Sequence, residues 1–401
     1  MLALCVALIG ASMSPFERRG FDARLVYATL MSVLVLYALQ SRRLRIDLLM
    51  ACVLCIQVVA IGLAMMFDGQ PERLLTISTL CSVAVVGILF WSRLLDITAF
   101  AKVCVLLTLG VAAAAAASTV LAYFGYLEPV PVFERPGTET TVETIYRVGL
   151  TLTNEVTSLG DGYFIRPGGV FIEPGQLAMW VSLALILNAV VLGRRVYEGL
   201  LACLGLFTSA LSFVLFLTLF LVAFRRWRAL QVCGTALVIL TVWGGLATFA
   251  QSESYLAYGT VRRVVTFFDE GVGGNRFQPT LTVLTQLNKL NVVGSIEGNP
   301  FGDPAVDATV WGPFIGYGWL GGMAAYGHLM LFAVVPLAML SAHPKQIRPR
   351  TNMFRVFVLL VVSLYHRPYT LHFLYYVYLI ALFEWEWRKY ADTMPAQFRV
   401  A

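Results

Sequence analysis

Arg166-Pro167-Gly168-Gly169-Val170-Phe171-Ile172-Glu173-Pro174-Gly175 runs directly into an apolar stretch that continues to Gly193, and that passage decides the fold. A guanidinium, a glycine pair and a carboxylate stand at the mouth of a segment long enough to be a membrane helix. Charge beside a bilayer is expensive, so such residues are functional candidates from the outset. Arg166 offers a planar fork suited to phosphate or carboxylate. Gly168 and Gly169 let the backbone turn sharply or approach a ligand. Glu173 reads as the last residue before the helix, with Pro174 at the first helical position and the acid facing the positive end of the helix dipole. The plainer alternative is an Arg–Glu pair that holds a loop at a helix entry.

Working outward, the whole chain has this character. It is 59% hydrophobic and only 13% charged over 401 residues, against about 25% charged in a soluble domain. Long apolar runs recur at about 1–14, 25–40, 46–67, 74–92, 98–125, 175–193, 196–224, 229–249, 313–340, 354–366 and 368–385. The expected fold is therefore all-α: a polytopic membrane helix bundle of about 11–12 membrane segments. A β-barrel is excluded, because the runs are continuous and do not alternate in polarity. The net charge of +6 sits largely in short loops and calls for no nucleic acid. All seven cysteines lie in apolar segments and read as small packing residues; the Cys52–Cys55 pair lacks the polar setting of a metal or redox site. The first fourteen residues lack the basic n-region of a secretory signal and read as a short first helix, in keeping with a start placed slightly late.

Two large loops interrupt the helices, about 126–174 and 250–312. Residues 126–169 carry six acids against three arginines, a net of −3, and 250–312 carry six acids against four bases, a net of −2. The short loops run the other way, with Arg42, Arg43 and Arg45, then Arg225, Arg226 and Arg228, then Lys345, Arg348, Arg350 and Arg355. The positive-inside rule puts both large loops outside the cytoplasm and both termini within it. The chain thus divides into N-terminal helices (1–125), a first outer loop (126–174), central helices (175–249), a second outer loop (250–312) and C-terminal helices with a short tail (313–401). The same topology makes 196–224 start and finish inside, although it is too short for two full spans. A broken or re-entrant pair of helices is expected there, turning near Thr208-Ser209-Ala210-Leu211-Ser212, where hydroxyls can satisfy freed backbone groups.

The second outer loop holds another cluster, Asp269-Glu270-Gly271-Val272-Gly273-Gly274-Asn275-Arg276. Its glycines and Arg276 can form a backbone nest for an anion, or simply a surface turn. Residues 277–290 then space apolar side chains as an amphipathic helix does. Asp303 and Asp307 follow as candidate bases, with solvated loop acids as the alternative. Among the histidines, His328 reads as a helix residue that pairs with a backbone group. The turn His366-Arg367-Pro368, with Tyr369, His372 and Tyr376, lies on the side of the large loops, where polar aromatics also serve as interface anchors. No cluster has metal-ligand spacing, so neither metal nor cofactor is expected. Outward arginines Arg166, Arg276 and Arg367 together suit an anionic, lipid-linked substrate, since a pyrophosphate satisfies several arginine forks at once.

The stretch Arg166–Ala178 resembles the "R-x-x-G-x-F-x-E-P" entry motif of bacterial exopolysaccharide polymerases, in the Wzy-type O-antigen polymerase and ligase superfamily. The interruption at Thr208–Ser212, the second loop opening on Arg276 and the glycine-rich Gly316–Gly322 stretch follow in the same order. The resemblance covers roughly residues 100–385. It implies a glycosyltransferase at the bacterial inner membrane that acts on undecaprenyl-diphosphate-linked oligosaccharide outside the cytoplasm. Arg166 and Arg276 take the places of the family's diphosphate-binding arginines; with Gly168, Gly169 and Arg367, read above from their own chemistry, they make up the candidate substrate-binding set. A chain-length regulator and export proteins are the further partners it implies. The ligase branch carries a histidine some eleven residues before the "G-x-x-G" helix entry; this chain has Asp307 near that position, leaving Asp307, Glu173 and His372 as candidate bases. A ligase, or a transporter or flippase of the same lipid-linked sugar, is the alternative reading.

Overall fold

The computed structural model describes residues 33, 36, 39–40, 45–68, 73–127, 129–130, 145–148, 151–157, 163–169, 174–208, 211–225, 274–293, 300–301, 310–342, 352–366 and 373–393. Helices dominate. They are numbered α1 (Leu48–Asp68), α2 (Arg73–Trp91), α3 (Ile97–Tyr123), α4 (Pro174–Leu187), α5 (Arg195–Phe207), α6 (Leu211–Arg225), α7 (Gly274–Thr285), α8 (Gly312–Ala325), α9 (Gly327–Ala342), α10 (Met353–His366) and α11 (Phe373–Thr393). Among the described residues four apolar helical stretches are long enough to cross a membrane by length and composition: Leu48–Phe67, Ile97–Ala122, Gly175–Leu192 and Gly312–Ala338. Shorter apolar helices lie at Thr79–Trp91, Phe213–Phe224 and Met353–Leu364. This is a membrane-embedded helical protein.

Local chemistry starts and stops these helices where the sequence changes character. Asp47 accepts from the Met50 amide (2.9 Å) at the head of α1. Asp96 accepts from the amides of Thr98 and Ala99 at the head of α3, satisfying donors that have no partner within the helix. α4 begins at Pro174, where a missing N–H costs nothing. It continues through a π turn, Asn188–Leu192, and stops at Gly193 in the left-handed conformation. α4 is the central pillar: Leu177–Leu187 are buried, and the helix packs on α3, α5, α6, α10 and the adjoining strand.

The all-α expectation needs one correction, because the first large loop contains a sheet. Strands β1 (Pro129–Val130), β2 (Ile145–Val148), β3 (Thr151–Thr157) and β4 (Tyr163–Gly169) form an antiparallel meander in the order β1-β2-β3-β4. Residues such as Thr151-Leu152-Thr153 and Tyr163-Phe164-Ile165 favour extended backbone, a signal that the long apolar helices on either side overshadow. The sheet rests on α3 and the start of α4.

The apolar run 313–340 carries two helices, α8 and α9, and α8 is itself bent. Gly318 has φ 71° and ψ −175°, a conformation open essentially to glycine alone, and the helix folds back there. A Cβ on Gly322 would lie 2.8 Å from the Phe314 backbone, a proximity that a straight helix cannot give to positions eight residues apart. The freed amides of Trp319 and Leu320 donate to the carbonyls of Asn291 (2.9 Å) and Val292 (3.0 Å). The cysteines differ too: Cys104 is buried, but Cys52, Cys55, Cys81 and Cys203 are exposed free thiols on helix surfaces. The apolar stretch 196–224 carries the two helices α5 and α6. Phe213 lies over Gly205, and the Thr208 hydroxyl donates to the Gly205 carbonyl (2.6 Å).

Candidate functional site

The Arg166–Gly175 passage is built by β4, a bulge and a helix entry. Arg166 is in register with Asn154 of β3, Pro167 with Thr153 and Gly169 with Leu152, so Gly168 is the extra residue of a β-bulge. Pro167 brings no amide to the ladder, which suits a strand at the sheet edge. Gly169 has φ 67°, and a Cβ there would stand 2.9 Å from Val111 Cγ1 of α3 and 3.5 Å from Leu177 Cδ1 of α4. Pro167, Gly168 and Gly169 are all buried. The pair thus has a packing role that needs no ligand: it lets β4 end in contact with two membrane helices.

The other sequence candidates are placed less fully. Arg276 is the third residue of α7, so Gly274-Asn275-Arg276 form the first helical turn, where backbone amides are unpaired within the helix. Helix α7 starts before the expected 277 and ends at Thr285, with Leu287–Lys289 a 3₁₀ turn. Val283 and Leu290 pack with Ile315 of α8, while Leu281 and Leu284 are exposed. The side chains of Arg166 and Arg276 lie outside the described residues, as do Glu173, Asp307, Arg367 and His372 entirely.

Two polar constructions went unseen in the sequence. The first is a charged collar at one end of the bundle. Arg388 Nε meets Glu384 Oε1 at 2.7 Å and its Nη2 donates to the Phe90 carbonyl at 2.6 Å. Buried Glu386 accepts from Lys389 Nζ (3.3 Å) and from the Asn352 amide (2.8 Å). Trp385 Nε1 donates to the Val190 carbonyl (3.0 Å), Asn188 Nδ2 to the Arg194 carbonyl (2.9 Å) and the Arg45 amide to Ser92 Oγ (2.7 Å). These contacts gather the start of α1, the ends of α2, α4 and α11, and the start of α10 at one level. Because α4 runs from β4 to this collar, the sheet occupies the opposite end.

The second construction is a polar knot in the interior. Gln57 Nε2 donates to the Ala324 carbonyl (2.7 Å) and to Tyr376 Oη (3.0 Å), and the Tyr376 hydroxyl donates to the Ala325 carbonyl (3.4 Å). Both carbonyls are freed by the break between α8 and α9. His328 packs edge-on to Tyr376, with ring centroids 4.8 Å apart. It is fully buried, and among the described residues neither ring nitrogen has a hydrogen-bond partner, so the expected backbone pairing is not found there. A lone glutamine in the otherwise apolar α1 was the available signal. Beside the knot, Phe314 stacks on Tyr326 (5.8 Å) and packs against Trp311 and Trp319, while the Tyr326 hydroxyl donates to the Val310 carbonyl. Among the described residues no group of His, Cys, Asp and Glu could hold a metal ion. Comparison with family models and with curated proteins returns no match for this chain.

Proposed function

We propose that this chain is a membrane glycosyltransferase of the polysaccharide-polymerase class. It joins undecaprenyl-diphosphate-linked oligosaccharide units on the outer side of a bacterial inner membrane. The observation that carries the reading is the Arg166–Gly175 passage, with its arginine, glycine pair and Glu-Pro helix entry in one run. Its strand ends against α3 and leads into α4 at the end of the bundle away from the collar. The collar end carries Arg45, Arg93, Arg194, Arg195, Arg355, Arg388 and Lys389, which the positive-inside rule assigns to the cytoplasm. On this reading the sheet and α7 face outward, α5 and α6 enter and leave from the collar side, both termini are cytoplasmic, and about 11–12 segments meet the bilayer.

Arg166 and Arg276 hold the diphosphate of the donor, with Arg367 as a further cation and Gly168 and Gly169 fixing the strand beside it. An acceptor hydroxyl attacks the anomeric carbon. The new glycosidic bond forms as the sugar–phosphate bond breaks, the lipid diphosphate leaves with the electron pair, and the hydroxyl proton passes to a base. Asp307, Glu173 and His372 are the candidates for that base. Arginine charge on the departing diphosphate stabilises the transition state without a metal.

A specific feature favours the alternative of a lipid-linked-sugar transporter: the helix broken at Gly318 and again after Ala325, since discontinuous helices line transporter sites. Deleting the protein and analysing the accumulated lipid-linked sugars separates the readings. A polymerase leaves single repeat units outside the cytoplasm. A ligase leaves polymer on the lipid, and a flippase leaves units inside. Either of the last two outcomes overturns the proposal.

A further inference from the structure

The knot around Gln57, Tyr376 and His328 lies at the depth where unpaired polar atoms are least tolerated. About 15 Å of helix separates Gln57 from Asp47 and about 18 Å separates Tyr376 from Arg388, at about 1.5 Å per residue. With the collar at one membrane face, that is near the middle of a hydrocarbon layer about 30 Å thick. Lipid offers nothing to bond to there.

Yet among the described residues three polar atoms are unsatisfied on two side chains that both meet Tyr376, Gln57 through its hydroxyl and His328 against its ring. Among the described residues Gln57 Oε1 is buried without a partner, as are both nitrogens of His328. The amide's other end is fixed, because Gln57 Nε2 already donates to the Ala324 carbonyl and the Tyr376 hydroxyl oxygen. Turning the amide over would set Gln57 Oε1 against a carbonyl oxygen. A neutral imidazole presents one donor and one acceptor. The site therefore offers one N–H, one imine nitrogen and one amide oxygen. A cation finds no carboxylate among these groups to balance its charge. An apolar molecule leaves all three unpaired.

We propose that the break between α8 and α9 encloses a hydrated site of at least two waters, because the two nitrogens of one imidazole point apart: one water accepts from the His328 N–H, another donates to the second imidazole nitrogen, and one of them donates to Gln57 Oε1. Water has both donor and acceptor capacity, and buried water characteristically takes two to four such partners. The hydrated knot completes the hydrogen bonding of a helix break whose two freed carbonyls Gln57 and Tyr376 already hold. The inference does not depend on the sugar-transfer reading.

The test uses the full chain, labelled with ¹⁵N-histidine, in liposomes. Solid-state NMR measures magnetisation transfer from water protons to the ring nitrogens. His328 is one of four histidines, and its signals are those lost in His328→Phe, which keeps the edge-on contact with Tyr376. Should that variant not fold, substituting His343, His366 and His372 in turn identifies His328 by elimination. Transfer to His328 that weakens in Gln57→Leu is the expected result. A resolved His328 signal that receives none overturns the proposal, and so does a His328 shift that depends on exchanging sodium for choline, which marks a cation site. Thermal unfolding gives an independent reading. If the imidazole is dry, His328→Phe removes unsatisfied groups and raises Tm; if it is hydrated, Tm stays level or falls.

Discussion

Replacing Gly169 by alanine tests whether the first loop is anchored as described. Two separate costs arise. The residue sits at φ 67°, and left-handed backbone costs an L-residue about 1–2 kcal/mol. The new methyl also stands 2.9 Å from Val111 Cγ1, and overpacking of this kind costs about 1–3 kcal/mol. Together they come to about 2–5 kcal/mol, a large part of a typical folding free energy. Combining Gly169→Ala with Val111→Ala separates them, because the valine truncation removes the clashing carbon and leaves the backbone term. The double variant is expected to be more stable than the sum of the singles by about 1 kcal/mol or more. Reversible unfolding in mixed micelles titrated with a denaturing detergent, followed by tryptophan fluorescence, measures each corner of the cycle. Additive effects would refute the Val111 contact. A Gly169→Ala protein of unchanged stability that makes no polymer would refute the packing account and give the glycine to the ligand instead.

Other outcomes follow from the same reasoning. Gly205→Ala drives a methyl into the ring of buried Phe213; it is expected to lower stability by about 1–3 kcal/mol, and Phe213→Leu in the same chain should recover part of the loss. Glu386→Ala strands the Asn352 amide and is expected to cost about 1–3 kcal/mol, whereas Glu386→Gln, which keeps an acceptor for the amide, costs less; equal losses in a melting assay would show that the amide bond is unimportant. Arg166→Ala and Arg276→Ala are expected to abolish polymer at normal protein level and membrane insertion, and normal polymer length in both would sink the diphosphate clamp.

How much the sequence disclosed depended on the range of the signal. Helix entry at Pro174 is local: one imino acid with no amide suffices, and the helix begins there. Apolar length is likewise local, and it located α1, α3 and α4. The sheet was missed because β2 is only four residues long and β3 is largely polar, each satisfying the other's backbone, so no extended period-two apolar face advertises them. The fold-back of α8 was missed because Gly316, Gly318, Gly321 and Gly322 all look alike in sequence; only the partner carbonyls at Asn291 and Val292 single out Gly318. The knot was missed for the same reason, since Gln57, Ala324, Tyr376 and His328 meet only in three dimensions. Arg166 stood out because charge beside an apolar run needs no third dimension to be conspicuous.

Gly318 also explains how the second loop is tied to the bundle, which yields the last prediction. Its positive φ exposes the amides of Trp319 and Leu320, and these capture the chain just after α7 at Asn291 and Val292. Helix α7, with Arg276 in its first turn, is thereby fixed at its far end to a membrane helix, much as β4 with Arg166 is fixed three residues later by Gly169. Both candidate arginines thus stand on elements whose other end is pinned through a glycine. Hydrogen exchange on the native protein tests the pin directly: the amides of Trp319 and Leu320 should be protected, and exchange as fast as in an open chain would dismiss it. In Gly318→Ala the backbone strain costs about 1–3 kcal/mol, so the fold-back should loosen and those two amides should exchange faster. If the pin serves to hold Arg276 in place, polymer synthesis falls in that variant although both arginines remain. Unchanged synthesis together with lost protection would separate the anchor from the chemistry and leave α7 positioned by its packing on Ile315 alone.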